Sequence, residues 1–172
     1  DYGRRECNFT DIIEVNLKIP LLLLELWVKY EIDAFINTDT FWDENIDLPI
    51  WLSYYVHSKK DFLKYAKKLI ENRGTRLINM KLEHLYWPRD KKQKFIPYII
   101  SSLLENTAEL DLTGWEQKKD FLYVKDALSA YMYIVNNLSK IKPLFEEFEL
   151  WSGNTLSIKD LILWINKVIK SN

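Results

Sequence analysis

Within the stretch SYYVHSKKDF, residues 53–62, a tyrosine is followed four positions later by a lysine: Tyr55 and Lys59. On a helix, positions i and i+4 share a face, so the phenol and the ammonium are neighbours. An unperturbed phenol ionises near pH 10. A cation beside it favours the phenolate and brings it towards useful acid–base chemistry. That pairing is the core of one large class of oxidoreductase sites. Tyr54 finds only Ser58 at the same spacing. The pattern is also cheap: with both residue types common, roughly one such spacing arises by chance, so its context decides.

The bulk properties remove several other chemistries. A chain of 172 residues, 48% hydrophobic and 28% charged, suits one soluble globular domain with a real core. A formal net charge of -1 gives no global electrostatic reason to expect nucleic acid or a membrane surface. The single cysteine, Cys7, excludes an internal disulfide framework and points to a reducing compartment; it reads as inert. With only His57 and His84 beside it, a zinc site of histidine and cysteine is not expected. The apolar run PLLLLELW is soon interrupted by Glu25 and Lys29, too short to span a bilayer, and has no signal-peptide flanks.

The elements that must position Tyr55 and Lys59 alternate along the chain. Residues 10–30 read as an apolar-rich helix that Pro20 bends or breaks, and AFINTDT (34–40) as a buried strand. A second helix covers about 52–72, closed by Gly74, and TRLINMKLEHLY (75–86) reads as another strand. FIPYIISSLLEN (95–106) reads as helix, AELDL (108–112) as extended, and residues 123–138 as helix. FEEFELW (145–151) reads as a strand, followed by a helix over 157–170 capped by Ser157. Alternating strands and helices predict an α/β fold with a mainly parallel sheet, whose ligands sit beyond the carboxyl ends of the strands. NTDT and LEHLYWPRD therefore belong to the functional rim.

Six segments in order resemble the NAD-dependent epimerase/dehydratase family, extended short-chain dehydrogenases/reductases acting on nucleotide sugars. DIIEVNLKIPLLLLE is similar to the helix that carries an Asn, FINTDTFW to the strand ending in the catalytic Ser/Thr, and YYVHSKKDFLKYAKKL to the Tyr-x-x-x-Lys helix. LEHLYWPRDKKQKFIPYII resembles Tyr-Gly-Pro-Arg-Asp followed by Phe-Ile-Pro. LDLTGWEQKKDFLYVKDALSAY is similar to Gly-x-Gln-x-Arg-Asp-Phe-x-Tyr-Val-x-Asp, and FELWSGNTLSIKDL to a Gly-Ser-Gly segment.

The resemblance implies an incomplete, doubly wound Rossmann-type sheet with a small C-terminal substrate-binding α/β region. Residues 1–86 would be the second half of the Rossmann domain and 87–172 mostly substrate region, with segments returning to the sheet. It implies Tyr55, Lys59, Thr40 and Asn16 as catalytic, and Tyr55, Lys59 and Leu82 at an NAD or NADP cofactor. His84 and Lys119 would hold a nucleotide-diphosphate sugar. It further implies a cytoplasmic homodimer packed through helices 10–30 and 54–72, acting without nucleic acid or membrane. By themselves, Thr40 reads equally as a strand-end hydroxyl and Asn16 as a helix polar residue bonded to backbone. Lys91, Lys92 and Lys94 read as a solvated basic loop, with diphosphate contact as the alternative.

The chain also departs from the family. Its glycines are Gly3, Gly74, Gly114 and Gly153, so the closely spaced fingerprint that cradles a dinucleotide pyrophosphate is absent. The chain therefore reads as a C-terminal piece that binds NAD(P) weakly alone and exposes the edge of its first strand. Asp43 and Glu44 stand too far along from Thr40 for a dehydratase pair, which favours an epimerase or 4-ketoreductase. A non-enzymatic remnant or dimerisation module is the alternative. Trp87, Trp115 and Trp151 stand where the family has glycine; they are either genuine, with local rearrangement, or glycine codons read as tryptophan.

Overall fold

The computed structural model describes residues 9–107, 112 and 114–170. Cys7 and most of AELDL lie outside them. The chain divides into two compact units, residues 1–82 with 133–149, and 83–132 with 150–172.

The first unit opens with helix α1 (Phe9–Ile13), a widened π turn (Glu14–Lys18) and helix α2 (Ile19–Lys29). Pro20 does not break this helix. A regular ladder would need its missing N–H at the Asn16 carbonyl; the turn before it widens instead, and Ile19 N–H bonds back to Glu14 O. Strand β1 (Ala34–Thr40) runs parallel to β2 (Arg76–Leu82), with Asn37 opposite Asn79 and Thr40 opposite Leu82. Strand β5 (Phe145–Leu150) lies on the other side of β2. Leu77, Ile78, Asn79 and Met80 are all buried, as expected of a strand covered on both faces.

Helix α3 (Ile50–Ile70) carries Tyr55 and Lys59. Its buried residues Leu52, Val56, Phe62, Ala66 and Ile70 follow helical spacing. Phe62, Ala66 and Ile70 join Leu24 and Leu77 in one core, flanked by Trp27, Phe35 and Phe145. Asn72, at φ 59°, takes the left-handed conformation after this helix, so the closing role expected of Gly74 falls to an asparagine.

The second unit contains strand β3 (His84–Tyr86), helix α4 (Phe95–Leu104), strand β4 (Lys118–Tyr123), strand β6 (Thr155–Ser157) and helix α6 (Ile158–Lys170). Strand β3 pairs parallel with β4, and β4 antiparallel with β6. Ile158, Leu161, Ile162 and Ile165 of α6 pack with Ile99 of α4 around Phe95 and Phe121. Ser157 caps α6: its Oγ accepts the Asp160 N–H at 3.0 Å and donates to the Asp160 carboxylate at 2.7 Å.

The single strand expected over 75–86 is two, β2 and β3, in different sheets. Glu83 separates them, its N–H turned to the Leu150 carbonyl at 3.1 Å. Strands β4 and β6 lie mostly in segments whose secondary structure the sequence left unassigned, but Tyr123 and Ser157, read as the first residues of helices, end them. Helix α5 (Val124–Asn136) begins immediately after β4.

Candidate active site

The rim of the first unit's sheet is built by β1 and α3. Tyr55 is half-buried, one helical turn before Lys59. Lys59 Nζ donates to the Thr38 carbonyl at 2.9 Å. Burial lowers the Lys59 pKa from its ordinary value, and the negative charge of Asp39 opposes that shift. Thr38 and Thr40 point to the same face of β1, as residues two apart must. Thr38 is exposed, whereas Thr40 is only 6% exposed and its Oγ1 accepts the Trp42 N–H at 3.4 Å.

Asn16 reaches this helix from the π turn. Its Nδ2 donates to Ser58 Oγ at 3.2 Å, and Ser58 Oγ donates to the Tyr55 carbonyl at 2.7 Å. Asn16 thus meets the Tyr55 turn through a serine that sequence reasoning did not single out. Leu82, half-buried, ends β2 opposite Thr40; its carbonyl accepts the Phe41 N–H at 3.3 Å.

A buried polar network was also missed. Asp39 accepts Lys60 Nζ at 3.2 Å, Asn79 Nδ2 at 3.1 Å and the Thr40 N–H at 2.7 Å. Asn79 also accepts from Asn37 at 2.7 Å and donates to Glu147 at 2.7 Å. The available signal was the polar pair Asn37 and Asp39 at alternate positions of a strand that opens with Ala34, Phe35 and Ile36, with Asn79 in the next strand. Asp33 O and Phe41 N bond to β2, so by alternation the carbonyls of Thr38 and Thr40 face β1's outer edge. Lys59 and Lys60 donate to those two carbonyls, covering the end of an edge expected to be open.

Asp43 accepts the backbone N–H and the side-chain amide of Asn45 at 2.9 and 2.8 Å. That is an exposed turn, and those bonds lower its pKa.

His84 and Lys119 form a separate group in the second unit. The His84 ring lies 5.6 Å from that of Phe121 on the paired strand. Burial, then the charge of Lys119, lowers the His84 pKa to about 4; the Asp120 carbonyl and carboxylate oppose this. The imidazole is therefore neutral near pH 7, so its 3.5 Å approach to Glu83 is a polar contact and not an ion pair. Asp120 also fixes the neighbouring turn, accepting the Ser152 N–H at 2.8 Å and its hydroxyl at 2.9 Å.

Of the basic loop, Lys91 and Lys92 are exposed, but Lys94 is engaged, 3.1 Å from Asp90 and 3.7 Å from the centre of the Trp87 ring. None of Trp87, Trp115 and Trp151 has positive φ. The left-handed residues nearby are Arg89, Gly114 and Gly153, at φ 64°, 67° and 82°. The tryptophans therefore avoid the left-handed conformation that glycine tolerates best.

Among the described residues, no group of three His, Cys, Asp or Glu is placed to hold a metal ion. No helix among them is long and apolar enough to cross a membrane.

Residues 2–144 match the NAD dependent epimerase/dehydratase family. The chain belongs to that family. It is 31% identical over 169 residues to the CDP-abequose synthase of Salmonella typhimurium, covering 98% of this chain and 56% of that protein. It is also 31% identical over 173 residues to the CDP-abequose synthase of Salmonella muenchen, covering 100% and 58%. The chain thus spans little more than half the length of these relatives. Among solved structures, the UDP-glucuronic acid 4-epimerase of Bacillus cereus in complex with NAD is similar, with a TM-score of 0.82 and 20% identity. That match covers 95% of this chain and 54% of that one. The epimerase/dehydratase chain has a mixed α/β, Rossmann-type fold.

Proposed function

We propose that this chain carries the acid–base half of an NAD(P)-dependent nucleotide-sugar epimerase or 4-ketoreductase. The observation that carries the reading is the Tyr55–Lys59 turn, anchored at the carboxyl end of β1 by the Lys59 bond to Thr38. The first unit is the later part of the dinucleotide-binding domain, and the second binds the substrate. The chain's relatives are named for CDP-abequose, so a CDP-linked sugar is the proposed substrate.

Bound NAD(P) supplies the hydride acceptor or donor. The residues present fit its nicotinamide ribose: Lys59 is a donor-only cation at the strand end, and Leu82 closes the adjacent strand. The four separated glycines provide no pyrophosphate turn, so this chain would hold only that end of the cofactor. Tyr55 Oη gives a proton to the sugar oxygen when a carbonyl is reduced, and takes it back when the hydroxyl is oxidised. The Lys59 ammonium stabilises the phenolate left behind. A threonine hydroxyl on the β1 face, Thr40 or the more exposed Thr38, bonds the same oxygen, and Asn16 braces the helix turn. At the diphosphate, Lys119 contributes charge, and His84 a hydrogen bond from a neutral ring.

We also propose a cytoplasmic homodimer. Val15, Ile19, Leu22, Leu23 and Leu26 are exposed at helical spacing, and Tyr54 is exposed on α3. The same stripe supports the second reading, a dimerisation module without turnover.

The protein carrying this chain, given in one assay reduced nicotinamide with a CDP-linked 4-keto sugar and in another oxidised nicotinamide with a CDP-linked 4-hydroxy sugar, separates the readings. Loss of reduced-nicotinamide absorbance with formation of the 4-hydroxy sugar supports a reductase. Interconversion of a CDP-sugar and its C4 epimer, without net cofactor consumption, supports an epimerase. Neither outcome, from a folded dimer, leaves the dimerisation module.

A further inference from the structure

Ser58 has no accessible surface, although it sits on the helix that carries Tyr55 and Lys59. A serine hydroxyl has one proton and two acceptor positions. Here the proton goes to the Tyr55 carbonyl at 2.7 Å, and Asn16 Nδ2 donates to the oxygen at 3.2 Å. Both ends of this bridge are specific. The Tyr55 carbonyl is also the regular helical acceptor for the Lys59 N–H, so the bridge is made within the turn joining the two functional residues. The other end is the π turn ahead of Pro20, where the widened backbone carries Asn16.

We propose that Ser58 is a positioning residue that sets the Tyr55–Lys59 turn against the Asn16 turn. This inference rests on Tyr55 being the acid–base group. A helix turn held only by apolar packing can slide or rotate by fractions of an ångström at small cost. A buried hydroxyl with both partners defined cannot do so without leaving a polar group unsatisfied. Asn16 then acts on the reaction through Ser58, without touching the reacting atoms. The small buried site explains the choice of residue, because alanine fills the space but makes neither bond.

The test compares wild type, Ser58→Ala, Asn16→Ala, the double variant, Ser58→Thr and Tyr55→Phe in the protein carrying this chain. Thermal unfolding of each confirms the folded fraction used to normalise kcat. Misplacing a reacting group by about 1 Å lowers rates on the order of a hundredfold, so Ser58→Ala is expected to lose about tenfold to a hundredfold in kcat. KM for the nucleotide sugar stays unchanged. The double variant loses no more than the worse single one, since both remove one bridge. Ser58→Thr, which keeps the hydroxyl, recovers more of kcat than Ser58→Ala. A Ser58→Ala protein with wild-type kcat, beside an inactive Tyr55→Phe, overturns the positioning role alone. So does a double variant whose losses simply multiply. An active Tyr55→Phe overturns the acid–base reading, and the proposal with it.

Discussion

Lys59 Nζ donates to the backbone carbonyl of Thr38, 2.9 Å away, two residues before the threonine that ends the strand. The contact places the cation beside an exposed hydroxyl-bearing residue, whereas Thr40 is buried. Replacing each threonine by valine separates their roles. Thr38→Val is expected to lower kcat on the order of a hundredfold with little change in stability, as for loss of one preorganised donor. Thr40→Val is expected to change the unfolding midpoint more than kcat. Steady-state kinetics and a urea titration of both variants check this; the reverse pattern returns the catalytic hydroxyl to Thr40.

The neutral His84 gives the fold an acid-sensitive point. Its pKa is about 4 when folded, against an ordinary 6.5. Between those values the unfolded chain takes up a proton that the folded chain refuses, so stability falls as pH drops from 6.5 towards 4. With the side chain 25% exposed, the shift corresponds to roughly 3 kcal/mol at most. Urea unfolding at pH 7 and pH 4.5 measures the loss, and His84→Gln is expected to remove most of the His84 share. A His84 imidazole resonance, identified by its loss in His84→Gln, that titrates near 6.5 in the folded protein contradicts this account.

Asp39 has no exposed side-chain surface, and its partner Lys60 is 20% exposed. An asparagine at 39 keeps one acceptor oxygen, but its NH2 faces either the Thr40 N–H or the Lys60 and Asn79 donors, and Lys60 loses its countercharge. Asp39→Asn is expected to cost about 3 kcal/mol in urea unfolding. Lys60→Met is expected to cost less, because Asp39 keeps two donors. Equal stability of Asp39→Asn and wild type would show that the network contributes nothing.

The exposed helical stripe predicts self-association. Leu22 and Leu26, 50% and 46% exposed, lie on one face of α2. Leu22→Glu with Leu26→Glu is expected to convert a dimer to a monomer in sedimentation velocity, leaving the circular dichroism spectrum intact. A wild-type monomer at micromolar concentration removes this surface as the interface.

Much of this was legible because the sequence carries period and order. AFINTDT is strand β1 at its expected bounds, and Ser157 caps its helix as its type and place suggest. Tertiary choices were hidden. Nothing local in TRLINMKLEHLY says that the strand changes sheets at Glu83, because the cause is pairing with distant residues. KKDFLY was read only as part of a family motif, and its strand character depends on its pairing with β3 and β6. At the site, spacing joined Tyr55 to Lys59, but only packing could bring Asn16 to Ser58 and Asp39 to Asn79.

Tyr55→Phe removes a single oxygen and tests the central claim most directly. In the protein carrying this chain, the account predicts a fall in kcat on the order of a thousandfold, as for loss of a general acid–base group. Nicotinamide cofactor binding, followed by fluorescence, is expected to be unchanged. A Tyr55→Phe protein that turns over at the wild-type rate would contradict the account.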